Sequence, residues 1–184
     1  MTSKRNLTIK QPGLDLIKKH EKLRLGVYLC PANKVTIGWG HVILPFYDVV
    51  LFKNMTVQML NILVDDCQRR GKVTPEAKNY LFISPTQADA LLNGDTRQVA
   101  NYLNSVLRVD INQNQFDALC SFVFNVGQDN FAGSTIRKLV NCKDFDAAAS
   151  EFDKWVYATV NGKKQKLNGL IARRSEERTL FEKL

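Results

Sequence analysis

At 184 residues, with 45% hydrophobic and 24% charged residues, the chain has the make-up of a globular protein long enough to bury a sizeable core. No apolar run approaches the roughly 18 residues of a membrane span, and neither repeats nor low-complexity segments occur. A net charge of +8 and a pI of about 9.4 favour polyanionic partners, nucleic acid or a bacterial envelope among them. Without a zinc finger or an aromatic–basic RNA-binding strand, no nucleic-acid partner is expected. Cys30, Cys67, Cys120 and Cys142 form no C-x-x-C pair, and the two histidines have no ligand spacing to them, so neither a metal nor a cofactor is expected. The basic start of the chain lacks the apolar stretch of a secretory signal, which predicts free thiols and a protein kept in the cytoplasm where it is made.

Residues 1–11 read as a loose arm, and Pro12 suits the first turn of a helix running to about Leu23. Leu14, Ile17 and Glu21 share its apolar face. Val27-Tyr28-Leu29, a turn at Pro31–Lys34 and the alternating Val35–His41 read as a β-hairpin, entered through Gly26. In that alternation Val35, Ile37, Trp39 and His41 take one face and Thr36, Gly38 and Gly40 the other. Val42–Phe52 reads as a loop packed on the hairpin, because Pro45 disfavours a central strand; its functional alternative is a lid or outer wall to a cleft. Thr56 caps a helix with a stripe of Val57, Leu60, Val64 and Cys67, closed by Gly71. Thr74-Pro75 starts a further short turn. Ser84-Pro85-Thr86-Gln87 is a capping box whose helix breaks at Asn93-Gly94, followed by a second segment from Asp95 to Leu107. Asn112–Gln115 caps a buried helix with Phe116, Leu119, Cys120 and Val123 in register. Ser134 caps Thr135–Val140, Asp144–Tyr157 forms another helix, Asn161–Lys166 a polar loop, and Leu170–Leu184 the last helix. About seven helices and one small β element make the fold class α+β, predominantly α-helical.

The chemistry concentrates between His20 and His41. Glu21 falls at a helix C-terminus on the edge of a core, where partial desolvation and the negative end of the helix dipole both disfavour a carboxylate. A carboxylic acid held protonated near neutral pH is what a general acid needs. Thr36, Gly38 and Gly40 offer a strand face with one hydroxyl and two missing side chains, which would let a flat ligand approach the backbone; a ligand-free twisted hairpin gives the same pattern.

Glu21, eight residues, Cys30, five residues, Thr36 and then Ile37-Gly38-Trp39-Gly40-His41 resembles the catalytic segment of phage-type lysozymes, the endolysins of glycoside hydrolase family 24. The likeness continues in Gln115–Gly127 and in Gly169–Arg174 with Glu177 and Phe181, and is weakest between Ile43 and Tyr80. The middle position is Asp in some members and Cys here. The resemblance implies a single catalytic domain over 1–184. Its smaller lobe spans about 20–83 with the hairpin. Its helical lobe spans about 84–184 plus the first helix, with a cleft between the two.

It further implies hydrolysis of the β-1,4 bond between N-acetylmuramic acid and N-acetylglucosamine in peptidoglycan. Glu21 would be the acid, Thr36 would orient water, and Cys30 would serve as base or nucleophile with a lowered pKa, as a thiol that helps place water, or as a replaceable residue. Inversion is the expected outcome, with a covalent route left open by the thiol. Gly38, Gly40, Gln115, Ser121 and Asn125, with Ser134, are candidates for holding the glycan; capping and packing are equally open for the polar ones. His41 reads as a structural histidine. Arg173 and Arg174 either stabilise the last helix or hold a carboxylate, Glu21 included. Residues 163–184 carry seven basic and three acidic side chains, a net +4, and suggest contact with an anionic outer membrane. The expected protein is a monomer that collects in the host cytoplasm until a pore releases it. Its competitors are a lytic transglycosylase acting on the same bond and a non-enzymatic cationic protein that disrupts envelopes.

Overall fold

The structure is a computed structural model describing residues 6–160 and 162–184, with Val160 described by its backbone alone. In chain order the elements are α1 (Gln11–Glu21), β1 (Arg24–Leu29), β2 (Val35–Gly38), β3 (His41–Val42), α2 (Pro45–Asp48), a 3₁₀ turn (Val49–Leu51), α3 (Val57–Arg70), α4 (Pro75–Tyr80) and α5 (Pro85–Val106). They continue with α6 (Gln113–Val126), α7 (Gln128–Gly133), α8 (Thr135–Asn141), α9 (Phe145–Glu151), a 3₁₀ turn (Phe152–Lys154), β4 (Tyr157–Val160), β5 (Lys163–Lys166) and α10 (Asn168–Phe181). Two compact units result: one is Glu21–Asp95, the other combines the chain up to His20 with Thr96–Leu184.

In the Glu21–Asp95 unit, β1, β2 and β3 form an antiparallel sheet in that order. Val27, Val35, Ile37 and Ile43 from the sheet are buried with Phe52, Leu60, Val64, Cys67, Ala77, Leu81, Ile83 and Ala88. Three residues of the predicted α3 stripe, Leu60, Val64 and Cys67, therefore build this core, while Val57 is only half-buried at the start of the helix. Its cap is also as predicted: Thr56 Oγ1 accepts from the Met59 N–H at 3.2 Å, and Gly71 closes the helix at φ +61°. The free edge of β1 is covered by Leu81–Ile83. Val27 N–H donates to Leu81 O at 3.2 Å and Ile83 N–H to Leu25 O at 2.9 Å. Gly26 consequently lies inside β1 and is not a hinge into the hairpin.

The second unit is helical around α6, whose residues Gln115–Val123 are all buried. Both predicted capping boxes form: Ser84 with Gln87, and Asn112 with Gln115. The arm expected to be loose is strapped down over its described part. Asn104 both accepts from the Leu7 N–H at 3.1 Å and donates to Leu7 O at 2.8 Å; Gln113 donates to Thr8 O; and the Lys10 N–H donates to Asp117 Oδ1 at 2.9 Å.

Four expectations are corrected. Residues 45–51 are two short helical turns; Pro45 acts as a helix-starting residue there, not as a strand breaker. α5 does not break at Asn93-Gly94. The helix runs unbroken to Val106, with buried residues at Leu92, Thr96, Val99, Ala100 and Leu103 keeping helical period through the glycine. The helix expected over Asp144–Tyr157 ends in the 3₁₀ turn at Lys154. Finally, Tyr157–Val160 pairs with Lys163–Lys166 as a second hairpin, in register from Tyr157↔Lys166 to Val160↔Lys163, where a polar loop was expected. Position 161 of that loop lies outside the described residues.

Candidate active site

The first hairpin assembles the motif. α1 ends at Glu21, which is half-buried, and Lys22 turns the chain out of the helix with φ +56°. β1 then pairs with β2 so that Tyr28 lies opposite Thr36 and Leu29 opposite Val35. One residue further, the Cys30 N–H donates to Lys34 O at 3.0 Å and closes a tight turn with Asn33 at φ +58°. Cross-strand partners present their side chains to the same side of a sheet, and so do residues two apart on one strand. Tyr28, Cys30 and Thr36 thus share one face, while Val35 and Ile37 point into the core.

Electrostatics bind this face together. Burial pushes the Cys30 thiol up, but the backbone groups of Lys34 and Ala32, the Thr36 hydroxyl and the Lys34 charge outweigh it and hold the thiol below its ordinary value. The Thr36 hydroxyl also donates to Lys34 O at 2.9 Å, so its single proton has two acceptors to choose between. Thr36 itself is almost fully buried. Tyr28, which sequence reasoning passed over, is the link to Glu21. Burial first, and then the Glu21 carboxylate, push its phenol up, while Arg24, 4.9 Å from the ring centre, opposes them. A tyrosine inside a short apolar strand carries no spacing signal, and only the register with Thr36 reveals it.

The Phage lysozyme family matches residues 18–177 of this sequence. The chain is 40% identical over 174 residues to the endolysin of Acyrthosiphon pisum secondary endosymbiont phage 1, covering 95% of this chain and 97% of that one. It is 32% identical over 176 residues to the endolysin of Salmonella phage P22, covering 95% and 98%. Among solved structures, the muramidase domain of SpmX from Asticaccaulis excentricus superposes with a TM-score of 0.73 at 29% identity, covering 96% of this chain and 99% of that one. The chain belongs to the phage lysozyme family. It is a lysozyme-type glycosidase of the endolysin kind, with a mostly helical lysozyme fold.

The remaining predicted residues separate sharply. Gly38 is buried and packs against neighbouring side chains. β2 stops at Gly38, which has φ +67°, and a side chain there would lie 3.5 Å from Ala88 Cβ and 3.6 Å from Ile83 Cδ1. Gly40, at φ +97°, completes the reversal into β3, so both glycines serve the turn. Ser121 is fully buried and donates to Glu177 Oε1 at 2.7 Å. Gln115 is spent on its capping box, and Asn125 accepts from Arg174 at 3.0 Å. Ser134 caps α8 through the Arg137 N–H. These hydrogen bonds give Gln115, Ser121 and Ser134 capping or packing roles, while Asn125 remains exposed beside Arg174.

Arg173 and Arg174 do hold a carboxylate, that of Glu177. Both form ion pairs with it, at 3.1 Å and 2.9 Å, in a cluster that is almost wholly buried, and the Arg174 guanidinium stacks 4.8 Å from the Phe122 ring. Burial pushes the Glu177 carboxyl up against the pull of both arginines. His41 is structural as read. Its Nδ1 meets Asp95 at 2.9 Å and its Nε2 meets Asp48 at 3.0 Å. Burial acts to lower its pKa, yet the two carboxylates carry it up to about 9. Among the described residues no group of three or more His, Cys, Asp or Glu side chains could hold a metal.

Proposed function

We propose that the chain hydrolyses the β-1,4 bond between N-acetylmuramic acid and N-acetylglucosamine, with Glu21 as general acid and with Thr36 and Cys30 handling the attacking water. The observation that carries this reading is the shared face of Tyr28, Cys30 and Thr36, with Glu21 felt at Tyr28. A glycosidic bond breaks through an oxocarbenium-like state that needs a proton on the leaving oxygen and a nucleophile at the anomeric carbon. Glu21 gives the proton in this reading. A thiol held below its usual pKa supplies more thiolate at neutral pH, which favours Cys30 as base over Cys30 as bystander. Water delivered on that face, held by the Thr36 hydroxyl, gives inversion.

The protein acts as a monomer and collects in the host cytoplasm until a pore forms; among the described residues no helix is long and apolar enough to cross a membrane. Contact with an anionic outer membrane belongs to the same proposal. Of the basic residues in 163–184, Arg173 and Arg174 are buried in ion pairs and Arg178 is paired with Asp153 and Glu182. The exposed Lys163, Lys164 and Lys166 of β5, with the exposed Lys183, are therefore the cations such a contact uses.

The test is turbidity loss of purified peptidoglycan for wild type, Glu21→Gln and Cys30→Ala, with reducing ends weighed by mass spectrometry. Glu21→Gln should lower the rate by about 10²–10⁴-fold, the worth of general acid catalysis. Cys30→Ala should fall with it, and wild-type products should carry hydrated reducing ends. Activity that survives in Glu21→Gln removes the assignment, and anhydro ends make the protein a transglycosylase.

A further inference from the structure

The segment following β3 is built in an unusual way. Within seven residues it leaves Leu44 52%, Phe46 73%, Tyr47 71% and Val50 84% exposed. Scattered single exposures need no explanation, but a contiguous aromatic tip does. The tip is not loose. Asp48, itself buried, accepts from the Leu44 N–H at 2.6 Å and from His41 at 3.0 Å, and His41 is held on its other side by Asp95 of α5. The far end is pinned by buried Phe52 and by Gln87 Nε2, which donates to Leu51 O at 3.2 Å. A histidine held between two carboxylates fixes the backbone at the base of this segment. The two rings carried on that backbone lie 5.2 Å apart and nearly perpendicular, and both are mostly exposed.

The tip continues from β3, the strand paired with β2 on which Thr36 lies. Thr36 pairs with Val42, and the Ile43 N–H donates to Val35 O at 2.9 Å. Paired strand residues lie about 5 Å apart. Four residues of extended chain add at most about 14 Å. Phe46 therefore sits within about 20 Å of Thr36, inside the reach of a single glycan strand.

Charge chooses the occupant. Between Ile43 and Lys53 the sequence holds one acid, Asp48, and one base, Lys53, a net charge of zero in a chain of +8. An anionic lipid surface or nucleic acid is attracted by the basic β5 lysines and not by this neutral tip. An uncharged, flat-faced ligand whose C–H groups can lie on aromatic rings fits it. We propose that Phe46 and Tyr47, with Val50 beside them, form an auxiliary subsite that stacks an N-acetylhexosamine ring of the peptidoglycan strand away from the bond being cut. The proposal rests on the glycosidase reading above, in that the strand is taken to be the substrate.

The experiment measures binding, so it does not depend on turnover. Wild type and a Phe46→Ala/Tyr47→Ala variant, each also in the Glu21→Gln background to prevent digestion, are co-sedimented with purified insoluble peptidoglycan. They are then titrated with N-acetylglucosamine oligomers of two and six units, and with vesicles of phosphatidylglycerol. Both side chains are exposed, so urea midpoints should match. The double variant should lose about five- to tenfold in affinity for peptidoglycan and for the hexamer, little for the dimer, and nothing for vesicles. With Glu21 intact, the loss should appear in KM with kcat retained. Unchanged binding to peptidoglycan overturns the subsite, and a loss confined to vesicles reassigns the tip to lipid. Failure of the glycosidase reading would show separately, as turnover surviving in Glu21→Gln.

Discussion

His41 shows how a residue that closes a catalytic motif can do its work through structure. Its imidazolium bridges Asp48 and Asp95, and its folded pKa of about 9 stands above the ordinary value of 6.5. A folded pKa raised above the unfolded one means that the native state holds the proton more tightly. The stabilisation is then fully present below about pH 6.5 and is lost as pH rises through 9. Allowing for solvent screening at a half-buried site, its size is on the order of 2 kcal/mol. Urea unfolding of wild type and His41→Gln from pH 6 to pH 10 should show a stability gap that is widest at pH 6 and narrows toward pH 10. A gap independent of pH would mean that His41 contributes through packing instead. Membership of the family was legible because Glu21, Cys30 and Thr36 stand at fixed spacing along one short segment. Tyr28 and the true partner of Ser121 were not. Tyr28 depends on a cross-strand register, and Ser121 meets Glu177 across 56 residues of sequence, beyond any local pattern.

At the scale of elements, sequence signals succeeded where they were chemical and failed where they were read from polarity. The caps at Thr56, Ser84, Asn112 and Ser134 all form, because each side-chain oxygen has a defined N–H to accept from. The β4–β5 hairpin was missed because all four residues of β5 are exposed and none is apolar. The turn dipeptide Asn161-Gly162 between a β-branched run and a lysine run was the available signal. Gly94 misled in the opposite sense. It lies inside α5, and a methyl group there meets nothing within 4 Å. Glycine costs a helix interior about 0.5–1 kcal/mol relative to alanine, partly through the freedom of the unfolded chain. Gly94→Ala should therefore raise the melting temperature by about 1–4 °C without any new packing. A drop in melting temperature would show that α5 uses the glycine's flexibility.

At the scale of the molecule, the net charge of +8 is not a property of one surface. The buried Arg173–Arg174–Glu177 cluster and the Arg178 pairs turn much of the C-terminal charge inward or onto partners. What remains outward there is concentrated on β5, where Lys164 and Lys166 share one face, Lys163 takes the other, and the Lys164 ammonium lies 5.0 Å from the centre of the half-exposed Tyr157 ring. A cation pinned beside an amphipathic aromatic is suited to the boundary of a charged headgroup layer. Two explanations of the proposed envelope affinity then differ in a measurable way. If the total charge governs, removing any three exposed lysines weakens binding equally. If the hairpin governs, Lys163→Gln/Lys164→Gln/Lys166→Gln should weaken binding to anionic vesicles by about a hundredfold at low salt, near 1 kcal/mol per lysine. Lys72→Gln/Lys78→Gln/Lys143→Gln, which removes the same charge elsewhere, should cost far less. Vesicle flotation at several salt concentrations separates the cases, because binding that no longer draws on three ammonium–headgroup attractions is also less sensitive to salt. Equal effects in the two triple variants would return the affinity to net charge alone, and the hairpin would be a structural element with no surface of its own.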